Sequence, residues 1–503
     1  MKPINLYEFS KAVFLPEKEL QTYERFNSNR NSSFQIKNRE IETIRKFVSL
    51  LSQYVEFEYW NGFYYSFSIP QISKEFDLLK VGNNKILNIE LKSEHTSDQK
   101  LLSQLRRNKY YLSHLGRDVI AIVFVGDTNQ LLKLKDDKLY KIEINEVIQD
   151  IKGIDDFYAE DIEKLFNPTQ FLVSPINTPD KFIEGNYFLT DHQEEIRDAI
   201  IKSRNADLDS FAFYQVVGGA GTGKTLLIYD IAKQFSKSLK ICIIHCGLLA
   251  EGHKDLDEKL DNVSIIAAKA LKYLNYDYFD SFDGIIIDEA HRIYKGQLEN
   301  ICKKIKAAKK FCVFGMDGEQ YLTKSEARSN INEIVNNLER CKHFRLTNKI
   351  RTNKELSDFI HLIRKINEPV ETKAFPNVKI LYADTYEYAN RLIMNYEKNN
   401  YKYISFTPSK YYRHSIDDLI RGENTHEVIG QEFDNVIMVI NESFEYFDDG
   451  RLGAYEHPVP DYLFAQLLYQ GLTRVREKLA VIILNNEKLF IKLLGAIENI
   501  TNS

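Results

Sequence analysis

The sequence predicts an α/β protein, with a small N-terminal α/β domain followed by two parallel-sheet lobes. Three observations lead there. From Phe188 onward, apolar strand-length runs alternate with helical periods, the pattern of parallel sheets. Residues 35–125 read in the order helix, three strands, helix, strand. Between these blocks, about Gly126 to Tyr187, the pattern is less regular and carries Pro168, Pro175 and Pro179. The expected division is 1–130 for the first domain, 131–187 for a connector, 188–352 for one lobe and 353–503 for the other.

The first helix is expected within Gln35 to Tyr54, where Ile41, Ile44, Phe47, Val48 and Leu51 recur at helical spacing. Strands follow at Phe63 to Ile69, Phe76 to Lys80 and Ile86 to Lys92, with a hairpin at Val81-Gly82-Asn83-Asn84. Ser97 to Leu115 reads as a helix and Val119 to Val125 as a buried strand. In the lobes, strands are expected at Phe211 to Val217, Lys240 to His245, Gly284 to Asp288 and Phe311 to Gly315. Further strands are expected at Val378 to Tyr382, Tyr401 to Phe406, Asn435 to Ile440 and Leu479 to Leu484.

Composition excludes several classes. The chain has 503 residues, 44% of them apolar and 28% charged, which suits a soluble protein of about three domains. Its most apolar runs are strand-length, and Met1 to Leu6 lacks a signal-peptide pattern, so no membrane partner and a cytoplasmic location are expected. Five cysteines without regular spacing argue against a disulfide framework. Cys242, His245 and Cys246 fall on an apolar run and read as buried strand rather than as a metal site. A net charge of −5 neither advertises nor excludes nucleic-acid binding, which needs only a local basic track.

Gly218-Gly219-Ala220-Gly221-Thr222-Gly223-Lys224-Thr225 has the phosphate-loop spacing, with a strand before it and a helix after it. Glycines let backbone N–H groups turn inward around phosphates, and the helix N-terminus adds a positive dipole end. Lys224 is placed for the β- and γ-phosphates of ATP, and the Thr225 hydroxyl for Mg²⁺. The apolar run Ile285-Ile286-Ile287 delivers Asp288 and Glu289 to the C-terminal edge of a sheet, ahead of Ala290-His291. Asp288 suits Mg²⁺, and Glu289 suits the attacking water.

With these motifs the chain resembles a superfamily 1 helicase, and more closely the compact DNA/RNA helicase-like ATPases grouped with the Schlafen helicase domain. The resemblance implies two RecA-like lobes and covers about Phe188 to Leu484. Phe188-Leu189-Thr190-Asp191-His192-Gln193 resembles the Q motif, which implies that Gln193 reads adenine. Asp317 and Gln320 resemble motif III, with Gln320 sensing the γ-phosphate. Leu346 to Arg351 resembles motif IV, Gly430-Gln431-Glu432-Phe433-Asp434 motif V, and Leu472-Thr473-Arg474-Val475-Arg476 motif VI. Arg351 and Arg474 would then stabilise charge on the γ-phosphate, while Gly430 and Glu432 would line the nucleotide site. No clear motif Ia or Ib lies between Cys246 and Ala270, so the strand path is unassigned.

Asp77, Glu90 and Lys92 form a second acidic–basic constellation. Glu90 and Lys92 are two apart on one strand and share a face, and Asp77 on the preceding strand can meet them. Two carboxylates can hold Mg²⁺ or Mn²⁺ beside a lysine that steadies a nucleophile. This resembles the PD-(D/E)XK nuclease superfamily, a restriction-endonuclease-like fold, over residues 35–125. Gln104 to Tyr111 resembles the Gln/Tyr helix of helicase-linked nucleases, and Glu40 or Glu42 is a candidate further ligand.

The expected function is an ATP-dependent nucleic-acid translocase coupled to a metal-dependent nuclease, with DNA favoured and RNA the alternative. Such fusions resemble bacterial anti-phage or DNA-processing proteins. The competing readings are an ATP-gated binding switch with an inactive nuclease fold, and a protein-remodelling ATPase.

Overall fold

The computed structural model describes every residue except 31–37, 70–73, 155, 167–172, 220, 319–320, 347–353, 410, 456–460 and 503. The chain divides into two compact units, Met1–Phe171 and Leu172–Ser503.

The first unit is built on a six-stranded sheet, β1 (Phe63–Ile69), β2 (Lys74–Val81), β3 (Lys85–Lys92), β4 (Asp118–Val125), β5 (Gln130–Lys135) and β6 (Lys138–Lys141), in that spatial order. Its neighbours are antiparallel except β3 and β4, which run parallel. A parallel pair needs a crossover, and the helix Asp98–Ser113 supplies it. The helix Asn38–Leu51 covers the opposite face. Its Ile41, Ile44, Phe47 and Leu51 are buried against Leu87, Ile89 and Phe124. Leu101 and Leu105 of the crossover helix pack on Val123 and Leu132 across the other face. Strand alternation thus sends Ile89 and Leu91 to one side of β3, and Glu90 to the other.

The connector expected from 131 does not begin there. β5 and β6 pair onto β4, and the helix Ile144–Lys152 buries Val147, Ile148 and Ile151 in the first unit's core. The hairpin between β5 and β6 turns through Asp136 and Asp137, both at positive φ (43° and 60°). Aspartate tolerates that region, so the turn forms without the glycine that usually announces it.

The second unit holds two lobes. The first carries six parallel strands: β7 (Ala212–Val217), β8 (Ile241–His245), β9 (Val263–Ala267), β10 (Gly284–Asp288), β11 (Phe311–Met316) and β12 (Cys341–Arg345). Their spatial order is β12-β7-β11-β10-β8-β9. From β7 the chain crosses β11 and β10 to reach β8, so the C-terminal ends of β7, β11 and β10 border a switch in strand order, where α/β sheets bind ligands. Strands β7, β8, β10 and β11 carry near-continuous apolar runs because helices cover both faces.

The second lobe has five parallel strands in the order β13-β19-β16-β14-β15. They are β13 (Val378–Ala383), β14 (Lys402–Ser405), β15 (Glu423–Asn424), β16 (Phe433–Ile440) and β19 (Val475–Leu484). A short hairpin, β17 (Phe444–Tyr446) and β18 (Leu452–Ala454), lies beside them. Both lobes are RecA-like parallel sheets. No described helix is long and apolar enough to cross a membrane. Among the described residues all five cysteines are free; Cys242 in β8 and Cys246 directly after it are buried.

Candidate nucleotide and carboxylate sites

The helix Lys224–Phe235 begins directly after β7 and the glycine loop. Gly223 caps it at φ 75°, a left-handed turn that glycine enters without steric cost, so the chain reverses into the helix with Lys224 first. Lys224 is 6% exposed, and its Nζ lies 3.1 Å from Glu289 Oε1. Burial alone would lower the ammonium's pKa. The nearby carboxylates of Glu289, Asp317 and Asp288 outweigh it and hold Lys224 above its ordinary value, so it stays charged.

Asp288 closes β10 and is fully buried. Its Oδ1 accepts the Glu289 N–H at 3.0 Å, while Oδ2 has no hydrogen-bond donor among the described residues. Glu289 then turns through the left-handed region, φ 56°, an uncommon conformation for a side chain of its size. That turn swings its carboxylate back over the glycine loop. Burial would raise its pKa, but Lys224, His291, Arg292 and Arg474 surround it and hold it well below the usual carboxylate range. His291 Nε2 and Arg292 Nε lie 3.5 and 3.6 Å from Glu289 Oε2.

The second lobe contributes the other wall. Gly219, Gly221, Gly223, Lys224, Thr225, Glu289 and Asp317 line one cavity together with Gly430, Glu432 and Arg474. Arg474 is 8% exposed and points inward. Its Nε donates to Gln470 O at 3.2 Å, and its Nη1 to Gln431 O at 3.3 Å. Burial lowers its pKa, partly offset by Glu289 and Glu432. Gly430 sits at φ 81°, which lets the loop turn close to the first lobe. Gly219 is exposed, and a methyl on it would meet no atom within 4 Å. A hydroxyl and a buried carboxylate oxygen suit Mg²⁺, which prefers hard oxygen ligands, so Thr225 and Asp288 fit that ion.

Other expected residues fall differently. Gln193 is 2% exposed, and its amide is engaged at both ends. Oε1 accepts the Thr190 N–H at 2.9 Å, completing a capping box, and Nε2 donates to Thr222 O at 3.1 Å. It braces the phosphate loop, and reading adenine would require exchanging those bonds. Thr222 Oγ1 donates to Gly219 O at 2.9 Å and stiffens the same loop, while a methyl on Gly218 would come within 2.5 Å of that oxygen. Ala220, Gln320 and Arg351 lie outside the described residues.

Sequence reasoning gave no role to His291, Arg292 or Asn177. His291 Nδ1 accepts the Asp317 N–H at 3.2 Å, which ties the backbone after β11 to the acidic strand end. Arg292 Nη2 donates to Gln470 Oε1 of the second lobe at 3.5 Å. The Asn177 side chain donates to Glu432 O and accepts the Glu432 N–H at 3.3 Å. Two bonds to one residue's backbone read like a strand pair, a signal no side-chain motif carries.

In the first unit, Leu78 pairs with Ile89, which sets Asp77 opposite Glu90 on adjacent strands. Asp77 Oδ2 accepts the Leu91 N–H at 2.8 Å. Lys92 Nζ lies 3.9 Å from Glu90 Oε2. Glu90 accepts from Gln104 through one oxygen and from Asn108 through the other, the latter at 2.5 Å. Burial first, and Glu90 second, push the Asp77 carboxyl well above its ordinary value, against the Leu91 N–H and Lys92. Glu40 adds to that repulsion and lines a cavity with Lys92, whereas Glu42 is exposed, so Glu40 is the nearer candidate. No group of three His, Cys, Asp or Glu side chains among the described residues forms a ready-made metal cage.

Residues 212–406 match the family described as Schlafen group 3, DNA/RNA helicase domain. The chain carries a helicase-like P-loop ATPase domain. Gly430, Glu432 and Arg474 lie beyond the matched residues. No curated protein matches the chain. Among solved structures, it is similar to a Pif1 helicase studied in DNA unwinding at forked duplex, at 12% identity and a TM-score of 0.34, over 58% of this chain and 92% of that one. Domain III of the Thermotoga maritima replication initiation protein DnaA matches at 14% identity and a TM-score of 0.21, over 35% of this chain and 71% of that one.

Proposed function

We propose that this protein is an ATP-hydrolysing nucleic-acid translocase whose N-terminal domain, of PD-(D/E)XK type, is a metal-dependent nuclease. One observation carries the motor reading: Lys224 and Glu289 of one lobe line the same cavity as Glu432 and Arg474 of the other. A triphosphate there would be gripped from both sides, so hydrolysis and release would change how the lobes pack. Glu289 orients the attacking water, Thr225 and Asp288 hold Mg²⁺, and Arg474 offsets charge building on the γ-phosphate. ATP turnover with and without single-stranded DNA and RNA tests this. Stimulation supports a nucleic-acid motor; turnover indifferent to every strand would point to a protein-remodelling ATPase.

The nuclease reading is supported by Asp77 facing Glu90, with Lys92 and Glu40 beside them. Asp77 and Glu90 would share Mg²⁺ or Mn²⁺. DNA is the favoured substrate, and destruction of phage DNA in bacteria is the setting such a pairing suits. A second reading is favoured by a specific observation: both Glu90 oxygens are already held by the Gln104 and Asn108 amides. In it the fold binds nucleic acid without cutting. Metal-dependent cleavage that disappears in Lys92→Ala supports the nuclease; no cleavage by wild type supports the switch.

A further inference from the structure

His245 ends β8 and stands in register with Asp288 at the end of β10. The imidazole is fully buried. Its Nδ1 lies 3.5 Å from Asp288 Oδ2, the carboxylate oxygen that no other donor reaches among the described residues. A buried carboxylate oxygen left without a donor or cation costs free energy, so something must meet it. The ring cannot turn away freely. His253 packs against it with ring centroids 4.3 Å apart, and a methyl on Gly247 would come within 2.7 Å of its Nε2.

The Cε1 corner of the ring, next to Nδ1, faces the second lobe. A methyl on Gly430 would sit 3.3 Å from His245 Cε1, and one on Gly247 would sit 3.2 Å from Ile429 Cγ2. The same loop is tied to the first lobe two residues later, where Asn177 holds the Glu432 backbone. His245 therefore neighbours both the carboxylate suited to Mg²⁺ and the loop that brings Gly430 and Glu432 to the nucleotide cavity.

We propose that His245 is a positioning residue that donates its Nδ1–H to Asp288 and transmits the approach of the Gly430 loop to that carboxylate. Closer approach of the second lobe would crowd the Cε1 corner, limit the ring's freedom to turn and keep Nδ1 on Asp288, which would hold that carboxylate ready for Mg²⁺. Opening relaxes it. The inference deepens the ATPase reading and rests on it.

The test compares wild type, His245→Ala and His245→Asn in full-length protein. A fluorescent ADP analogue is titrated with and without Mg²⁺, and ATP turnover is followed with and without single-stranded DNA. His245→Ala is expected to lose roughly tenfold to a hundredfold of the Mg²⁺-dependent gain in nucleotide affinity, with metal-free binding unchanged. In His245→Asn the amide can still donate to Asp288, so Mg²⁺ dependence returns. The ring edge against Gly430 is gone, so strand stimulation of turnover stays low. Wild-type Mg²⁺ dependence in His245→Ala overturns the inference. So does an equal loss of metal-free and Mg²⁺-bound affinity in both variants, which marks a packing role alone. A wild type that binds no nucleotide sinks the ATPase reading and takes this inference with it.

Discussion

The nucleotide cavity and the N-terminal carboxylate site each set buried acids beside a lysine at a strand edge, yet their electrostatics run in opposite directions. Around Glu289, Lys224, Arg292 and Arg474 interleave with the acids, and its carboxyl is held well below the ordinary range. Around Asp77, burial first and Glu90 second prevail over the Leu91 N–H and a partly exposed Lys92, and its carboxyl is pushed well above. The difference teaches what each site awaits. The first has its cations in place, beside the acids they offset. The second holds buried carboxyl groups with little positive charge beside them, which favours either a bound proton or an added cation.

The largest expected effect breaks the first half of that contrast. Lys224→Ala should lower ATP turnover about a thousandfold, measured by phosphate release, with the far-UV spectrum unchanged. It also strips Glu289 of its nearest cation. Retained turnover would show that the cations around Glu289 serve structure alone.

Arg474→Ala comes next and sharpens the claim that the second lobe contributes to the reaction. Turnover is expected to fall about a hundredfold or more while the affinity for ADP changes little, because the guanidinium acts on charge that builds during transfer. An equal loss in both quantities would make Arg474 a simple binding group.

The acid-rich site is probed by Glu90→Gln. Cleavage of DNA in Mg²⁺ or Mn²⁺ should drop at least a hundredfold, since one metal-binding carboxylate is neutralised. Binding of DNA without metal should persist. Cleavage that survives would remove Glu90 from the metal site.

The smallest effect concerns stability. Asp77 has a folded pKa above its unfolded value, so the folded state holds its proton longer. Stability is then lost as pH rises from the unfolded value toward the folded one, and Asp77→Asn removes that loss. The asparagine Oδ1 can still accept the Leu91 N–H. At neutral pH this variant should unfold about 1 kcal/mol later, a gain of roughly 2–4 °C, while losing cleavage. A lower midpoint would mean that Asp77 is already paired with a cation.

Much of the scaffold was legible. Phe63–Ile69 and Gly284–Asp288 were read with their observed bounds, because apolar runs flanked by turn residues leave few alternatives. β12 was not, since Cys341-Lys342-His343-Phe344-Arg345 is a polar edge strand with one partner, β7. β9 was missed because Val263–Ala267 is a partly buried edge strand interrupted by a serine. β5 and β6 were hidden by a turn without glycine and by alternating lysines. In the nucleotide cavity, the loop and the Asp288-Glu289 pair stood out because their spacing is local. Asn177, His245 and Arg292 did not, because their partners lie far away in sequence and are partly backbone.

The sequence by itself determined where the glycine loop would lead into a helix, which strand would deliver the acids, and that Glu90 and Lys92 would share a face. Those are consequences of backbone periodicity and loop chemistry over a few residues. Only the tertiary structure decided that Arg474 turns inward beside Glu289, that Gln193 is engaged with the phosphate loop, and that Glu40 rather than Glu42 stands near Asp77. Those outcomes depend on which charges are brought together out of water, and segments distant in the chain meet only once the core has packed.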